Sequence, residues 1–237
     1  MANNFFSFKK FTIFHDKCAM KVGTDGVLLG AWVNVSHADS ILDVGTGTGL
    51  IAIMMAQRSA TSVVDAVEID EMASLQAGEN VAACPWRERI TVVHDSFQHF
   101  AQNTFARYDM VVCNPPFFRN ALRSPIALRS VARHDTNLSY ESLLYYTAKI
   151  MANEGRLAVI IPAFELIRLT EQAFLQGLFV SKILRIKPLP EKPDTRCLVE
   201  LLQDRYAQCA ESSLTIRNND LITYTVEYKS LTGDFYL

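Results

Sequence analysis

The sequence predicts an α/β fold, a largely parallel β-sheet with helices on both faces. Three observations predict it. From Ser40 onward, short apolar runs of strand character alternate with longer runs of helical period. A glycine-rich turn joins the first strand of that alternation to its first helix, as in many α/β units. The alternation closes on two adjacent strand-like runs joined by a proline-rich turn, which read as an antiparallel pair.

Each element follows from its residues. Ser40–Val44 is a short buried strand ending at Gly45, and Gly49–Arg58 is apolar nearly all round, the mark of a helix sandwiched between layers. Val63–Glu68 is the second strand and Glu71–Ala83 the helix after it, with Asp70 as its N-cap. Ile90–His94 is the third strand. Tyr108–Cys113 is the fourth and stops at Asn114-Pro115-Pro116, because two prolines cannot continue a central strand. Across Ser139–Ala152, Leu143, Leu144, Thr147, Ile150 and Met151 recur at helical spacing, with Ser139 as N-cap and Gly155 as the stop. Arg156–Ile161 is the fifth strand, and Phe164–Gln176 is a helix closed by Gly177. Phe179–Ile186 and Thr195–Leu202 form the final pair around Pro188–Asp194. In the tail, Leu214–Arg217 and Leu221–Tyr228 flank Asn218-Asn219-Asp220 and read as a hairpin. The expected division is an N-terminal segment 1–38, a core 39–204 and an extension 205–237 whose hairpin packs on the core.

With 237 residues, one large domain or one domain with an appendage is expected. A hydrophobic share of 49% and a charged share of 20% exclude disorder and coiled coil. The formal charge is −2, from 23 Lys+Arg and 25 Asp+Glu, whereas chains that bind nucleic acid over their whole surface are strongly basic. Any nucleic-acid contact is therefore expected from a local patch. The longest apolar runs, Leu50–Ala56 and Leu157–Phe164, fall well short of the roughly 20 residues of a membrane span. The N-terminus has no signal-peptide core, and the five cysteines are scattered without a Cys-x-x-Cys. A cytoplasmic protein with free thiols, no metal and no membrane partner is expected.

Asp43-Val-Gly-Thr-Gly-Thr-Gly49 follows the first strand. It is not a Walker A loop, and Gly45, Gly47 and Gly49 depart from the dinucleotide spacing. Asp43 stands where a carboxylate suits an amine rather than a phosphate. Glu68 ends the second strand, 23 residues after Gly45, where an acid accepts from both ribose hydroxyls. One acid at the loop and one at the ribose fit S-adenosylmethionine, which has an α-amino group and a sulfonium but no pyrophosphate. Thr46 belongs to the same loop. Asp95 and Ser96 follow the third strand, where Asp95 suits an adenine amino group.

Asn114-Pro115-Pro116-Phe117 is the sharpest signal. Ligands of open α/β sheets bind outside the carboxyl ends of the strands. Asn114 offers an amide oxygen, Pro115 a carbonyl free of any ladder, and Phe117 a stacking face. Two acceptors beside a ring match a planar –NH2 group whose lone pair must be aimed at an electrophile.

Together, Asp43–Gly49, Glu68, Asp95 and Asn114–Phe117 resemble a class I, Rossmann-like methyltransferase acting on an exocyclic or amide nitrogen. The stretch Cys18-Ala-Met-Lys-Val-Gly-Thr-Asp-Gly-Val-Leu-Leu-Gly-Ala-Trp32, with the C-terminal Leu-Thr-Gly-Asp-Phe-Tyr-Leu237, is similar to the bacterial tRNA1(Val) (adenine-37-N6)-methyltransferase family over almost the whole chain. That resemblance implies a mostly parallel seven-stranded sheet with the last strand antiparallel, S-adenosylmethionine as methyl donor and tRNA as partner of a monomer. It also implies that segment 1–38 covers the donor's methionine end, with Thr24 and Asp25 there. The family often has Tyr where Phe117 stands, which keeps the ring and loses the hydroxyl.

Phe118–Asn137 is a connection of about 20 residues without periodicity, long enough to suggest a functional loop. It holds Arg119, Arg123, Arg129 and Arg133 with no acid before Asp135, which suits phosphates and unpaired bases. Phe5, Phe6, Phe8, Lys9, Lys10 and Phe11 form a second basic-aromatic cluster, for which a packed N-terminal strand is at least as good a reading. Protein glutamine N5, rRNA guanine N2 and DNA adenine N6 remain rival acceptors. A helical domain before the first strand and a target-recognition region, expected for the first and third, are not evident. A non-catalytic RNA-binding protein on the same fold is the remaining alternative.

Overall fold

Along Tyr108–Cys113, alternate side chains enter different cores. Met110 and Val112 join one apolar cluster, Val111 and Cys113 the other, and all four are fully buried. A strand apolar on both faces needs helices on both faces, and that requirement organises the protein. The computed structural model describes residues 3–115 and 138–237.

Among the described residues, β1 (Phe5–Ser7) and β2 (Thr12–Phe14) pair antiparallel as a small separate sheet. The main sheet holds β3 (Ser40–Val44), β4 (Val63–Glu68), β5 (Ile90–His94), β6 (Tyr108–Cys113), β7 (Met151–Pro162), β8 (Phe179–Lys187), β9 (Arg196–Leu202) and β10 (Ala210–Thr215). Its order is β10-β8-β9-β7-β6-β3-β4-β5. Only β9 runs against its neighbours, β7 and β8, and the other pairs are parallel. Strands β3 to β9 are thus the expected seven, with the last antiparallel.

Helices α1 (Thr24–Trp32), α2 (Leu50–Arg58), α3 (Glu71–Ala83) and α7 (Val226–Thr232) send apolar residues into one core. Helices α4 (Phe97–Asn103), α5 (Tyr140–Ile150) and α6 (Leu166–Leu175) fill the other. Asp70 caps α3 by accepting the Ala73 N–H at 2.8 Å, and Ser139 caps α5 by accepting that of Ser142 at 3.1 Å. Gly177, at φ +71°, turns the chain after α6, a conformation glycine adopts without strain. The N-terminal aromatic cluster is a packed element: Phe8 and Phe11 are buried with ring centroids 4.7 Å apart.

Two expectations are corrected. Gly155 does not stop a helix. α5 already ends at Ile150, and Gly155 lies inside β7, where a Cβ would come within 2.7 Å of the Tyr108 carbonyl oxygen. Its lack of a side chain permits close approach to β6. The tail is not a hairpin of two strands. Its first run belongs to β10, an eighth strand laid parallel on β8, and its second ends in α7. Between the two runs, the only strand-type pairing among the described residues is one antiparallel bridge, Arg217 to Tyr224, beside side-chain and turn hydrogen bonds. The sheet edge supplies β10 with backbone partners, and capping by Thr225, which accepts the Tyr228 N–H at 3.2 Å, starts the helix.

Candidate active site

The glycine loop is built to lie open. Gly45, Gly47 and Gly49 have φ of +69°, +58° and +79°, and nothing lies within 4 Å of where a Cβ on Gly45 or Gly47 would sit. Backbone N–H groups of Gly45 and Thr46 donate to the Val67 carbonyl at 2.9 and 3.1 Å, which clamps the loop against β4. Glu68, at the end of β4, is 9% exposed and braces it from the other side. Its Oε2 accepts the Gly47 N–H at 2.8 Å and its Oε1 the Asp70 N–H at 2.9 Å. Each carboxylate oxygen retains a lone pair for a further donor.

Loop, Glu68 and the end of β6 meet in one cleft of about 240 Å³ at the carboxyl edge of the sheet. Of the residues nominated from sequence, Gly45, Gly47, Glu68, Asp95, Asn114 and Pro115 line it. The Asn114 Oδ1 is buried without a hydrogen-bond partner among the described residues. An acceptor left so is costly unless a ligand donates to it. Asp95 lines the cleft while accepting the Ser96 N–H and pairing with His99 Nδ1, both at 2.7 Å.

The other nominated residues that the structure describes do not line the cleft. Asp43 has no exposed surface. Its Oδ2 accepts from the Thr46 hydroxyl at 2.6 Å and the Ala52 N–H at 3.1 Å, so it ties the loop to α2. Complete burial pushes its carboxyl up to about 7, against the opposing pull of those two hydrogen bonds. Gly49 begins α2 against Ala77, and Ser96 caps α4 by accepting the His99 N–H. Thr24 lines a different cavity, and Asp25 pairs with Arg196 at 2.7 Å. Phe117, Arg119, Arg123, Arg129 and Arg133 lie outside the described residues.

Sequence reading missed the cleft's walls. Cys18, Ala19 and Met20 close one side, and Ile69, Phe97 and Leu138 supply apolar surface. Cys18, Ala19 and Met20 had a signal in the N-terminal stretch that resembles the family, and Ile69 in its place directly after the strand-ending acid. The Cys18 thiol is pushed up to about 11, first by burial and then by the Glu68, Asp70 and Asp16 carboxylates. Burial likewise holds Cys113 well above the ordinary thiol range. Neither supplies a thiolate at neutral pH. The cleft therefore offers acceptors, a bracing carboxylate and apolar walls, a set suited to positioning a ligand with hydroxyl and amino donors.

Residues 18–164 match the family model of the methyltransferase small domain. A tRNA1(Val) (adenine(37)-N6)-methyltransferase of Parabacteroides distasonis is 44% identical over 237 residues, covering 100% of this chain and 99% of the relative. One from Trichodesmium erythraeum is 48% identical over 239 residues, again 100% and 99%. Among solved structures, a predicted O-methyltransferase from Agrobacterium tumefaciens superposes with a TM-score of 0.70 at 19% identity, over 89% of this chain and 96% of that one. A putative RNA methyltransferase from Pyrococcus horikoshii gives 0.53 at 19%, over 75% and 80%. The structural likenesses carry the fold, and the full-length identities carry the lineage: the chain belongs to the tRNA1(Val) (adenine(37)-N6)-methyltransferase family.

Proposed function

We propose that this chain transfers a methyl group from S-adenosylmethionine to the exocyclic N6 of adenine in tRNA, with adenine 37 of tRNA1(Val) as acceptor, the substrate named for its relatives. The observation that carries the reading is the buried, unpartnered Oδ1 of Asn114 in the same cleft as Glu68 and the glycine loop.

The residues present fit the methyl donor. Open space over Gly45 and Gly47 admits a ligand against the backbone, and the two Glu68 oxygens suit a pair of ribose hydroxyls. Ile69 and Phe97 offer faces for an adenine ring, with Asp95 at its amino edge. Asp43 and Thr46 hold the loop in shape from beneath. When bound, S-adenosylmethionine supplies a methyl carbon made electrophilic by its sulfonium.

Asn114 and Pro115 act on the acceptor. The N6 lone pair of adenine is delocalised into the ring, so the free base is a weak nucleophile. Two carbonyl oxygens accepting both N6–H bonds favour a pyramidal nitrogen and aim its lone pair, which is catalysis by positioning and electrostatics. Phe117 would stack on the target base, and Arg119, Arg123, Arg129 and Arg133 would contact the tRNA backbone. An unpaired loop base is extruded at lower cost than one in a duplex. The test is mass spectrometry of nucleosides from unmodified tRNA1(Val) incubated with the protein and the methyl donor. N6-methyladenosine at position 37 is expected. Methylation of guanine N2 instead, or none in any RNA despite donor binding, would overturn the reading.

A further inference from the structure

A second cavity, of about 880 Å³, takes no part in the chemistry above. It opens between the N-terminal hairpin and the C-terminal segment. Lys9, Arg217 and Lys229 line it, and no aspartate or glutamate does. Among the described residues none of the three cations forms a salt bridge. Lys9 Nζ donates to the Gly233 carbonyl at 2.6 Å, and Arg217 to that of Ile222 at 2.7 Å. In a chain of formal charge −2, three cations gathered from far-apart positions into a lining without an aspartate or glutamate side chain form a site for an anion, although Arg217 also acts on the Asp220 carboxylate outside it.

The site is also rigid. The Arg217 guanidinium lies 4.4 Å from the centroid of the Tyr224 ring, and Tyr224 stacks on Tyr228 at 4.9 Å and 22°. Tyr228 in turn stacks on Tyr236, which stacks on buried Phe8. A cation held on a ladder of packed rings loses little freedom when it binds a ligand.

Position connects the cavity to the cleft. Pro188 directly follows β8, and Ile216 directly follows β10; both line the cavity. Strand β9 is antiparallel to both β7 and β8, so β8 runs the same way as β7, β6 and β3. Cavity and cleft therefore open on the same edge of the sheet. From β8 to β6 is three inter-strand steps of about 4.8 Å, roughly 14 Å, a span that a few nucleotides of RNA backbone cover. Met20 lines the cleft and Thr24 the cavity, and exposed Lys21 stands between them.

We infer that this cavity binds the phosphate backbone of the substrate RNA, a few nucleotides from the base presented to Asn114. The inference rests on RNA being the substrate. Lys9, Lys229 and Arg217 take phosphates, and Lys21 bridges to the cleft.

The experiment compares wild type, Lys9→Ala/Lys229→Ala and Lys229→Ala alone for binding to an unmodified tRNA1(Val) transcript across a salt series. Thermal melting and calorimetric affinity for S-adenosylmethionine check the fold. Lys229 is exposed and its side chain makes no hydrogen bond among the described residues, so the single variant keeps the test valid if the double variant is unstable. The slope of log K against log[salt] should become shallower by about 0.7 in the single variant and about 1.4 in the double variant, with weaker binding throughout. KM for tRNA should rise while the saturated rate and donor affinity stay unchanged. Unchanged affinity and slope in folded variants, with wild type binding and methylating tRNA, would remove the cavity alone. A wild-type chain that neither binds nor methylates tRNA would remove the RNA reading and this inference with it.

Discussion

Glu68→Ala separates the loop contacts that this side chain makes from the ribose contacts proposed for it. Its Oε2 and Oε1 hold the N–H groups of Gly47 and Asp70 at 2.8 and 2.9 Å, yet each oxygen can accept a second hydrogen bond. The carboxylate can thus brace the loop and hold both ribose hydroxyls together. Hydrogen bonds to a charged group contribute roughly 1.5–3 kcal/mol each. Losing two to the ligand should weaken binding by about 3 kcal/mol or more, a factor of at least about 100. The two N–H groups also lose their partner, but they border an open cleft where water replaces part of the contact. A stability loss of about 2 kcal/mol, or roughly 4–8 °C in melting temperature for a chain of this size, is expected without ligand. Isothermal titration calorimetry with S-adenosylmethionine gives the first quantity, and a thermal melt of the free protein gives the second. Glu68→Gln, which keeps one acceptor but places an amide against an N–H, should fall between wild type and Glu68→Ala in both. A lowered melting temperature with unchanged affinity would confine Glu68 to the loop and refute its place in the ligand site.

Asn114→Ala should lower methyl transfer about 10²–10³-fold in single-turnover kinetics while donor affinity is unchanged, because its buried, unpartnered Oδ1 is the group proposed to hold the acceptor nitrogen; a near-normal rate would remove Asn114 from the mechanism. Asp43 titrates near 7 when folded against an ordinary 3.8, so the folded state holds the extra proton. The stability this confers is complete below 3.8 and lost as pH rises through about 7, so wild type should lose up to about 4 kcal/mol relative to Asp43→Asn across that window. Urea denaturation of both proteins at pH 4 and pH 8 reads the difference, and a constant offset would contradict it. Gly155→Ala should cost about 2 kcal/mol or more, since its Cβ would meet backbone atoms of Tyr108 and Ala152 that cannot swing aside. Differential scanning calorimetry checks it, and a melting temperature equal to wild type would show that β7 shifts freely there.

Legibility followed the kind of constraint each segment obeys. Strands β3 to β9 were read from sequence because apolar runs bounded by turn residues mark them, most continuously in β6 and β9, which are buried on both faces. β10 was only partly visible. Its first four residues, Ala210 to Ser213, are exposed at the sheet edge and three of them are polar, and only Leu214 turns inward, so the pairing with β8 leaves little trace in hydropathy. α7 hides for the opposite reason: Ile222, Thr223, Thr225 and Val226 have strand character, and the Thr225 cap with buried Tyr228 and Thr232 overrides it. Within the cleft, the acid and the amide were legible because few residue types accept hydrogen bonds at a strand's end. Its walls were mostly not, since any apolar residue can serve as a wall and Phe97 or Leu138 carries no mark of its place.

Charge obeys the same distinction between local and tertiary information. Arg119, Arg123, Arg129 and Arg133 stand out as a basic run because they are close in sequence. Lys9, Arg217 and Lys229 are each an ordinary cation in the sequence, and they become a group only because β10 joins the sheet beside β8 and α7 folds back beneath the N-terminal hairpin. A net charge of −2 excludes a uniformly basic surface, but it does not limit how strongly separated cations can be concentrated at one edge of a sheet. The correction of the tail from a hairpin to a strand and a helix is therefore also what exposes a second basic surface. A free hairpin would leave Arg217 and Lys229 on an appendage, whereas β10 and α7 fix them on the edge where the methyl-transfer cleft opens.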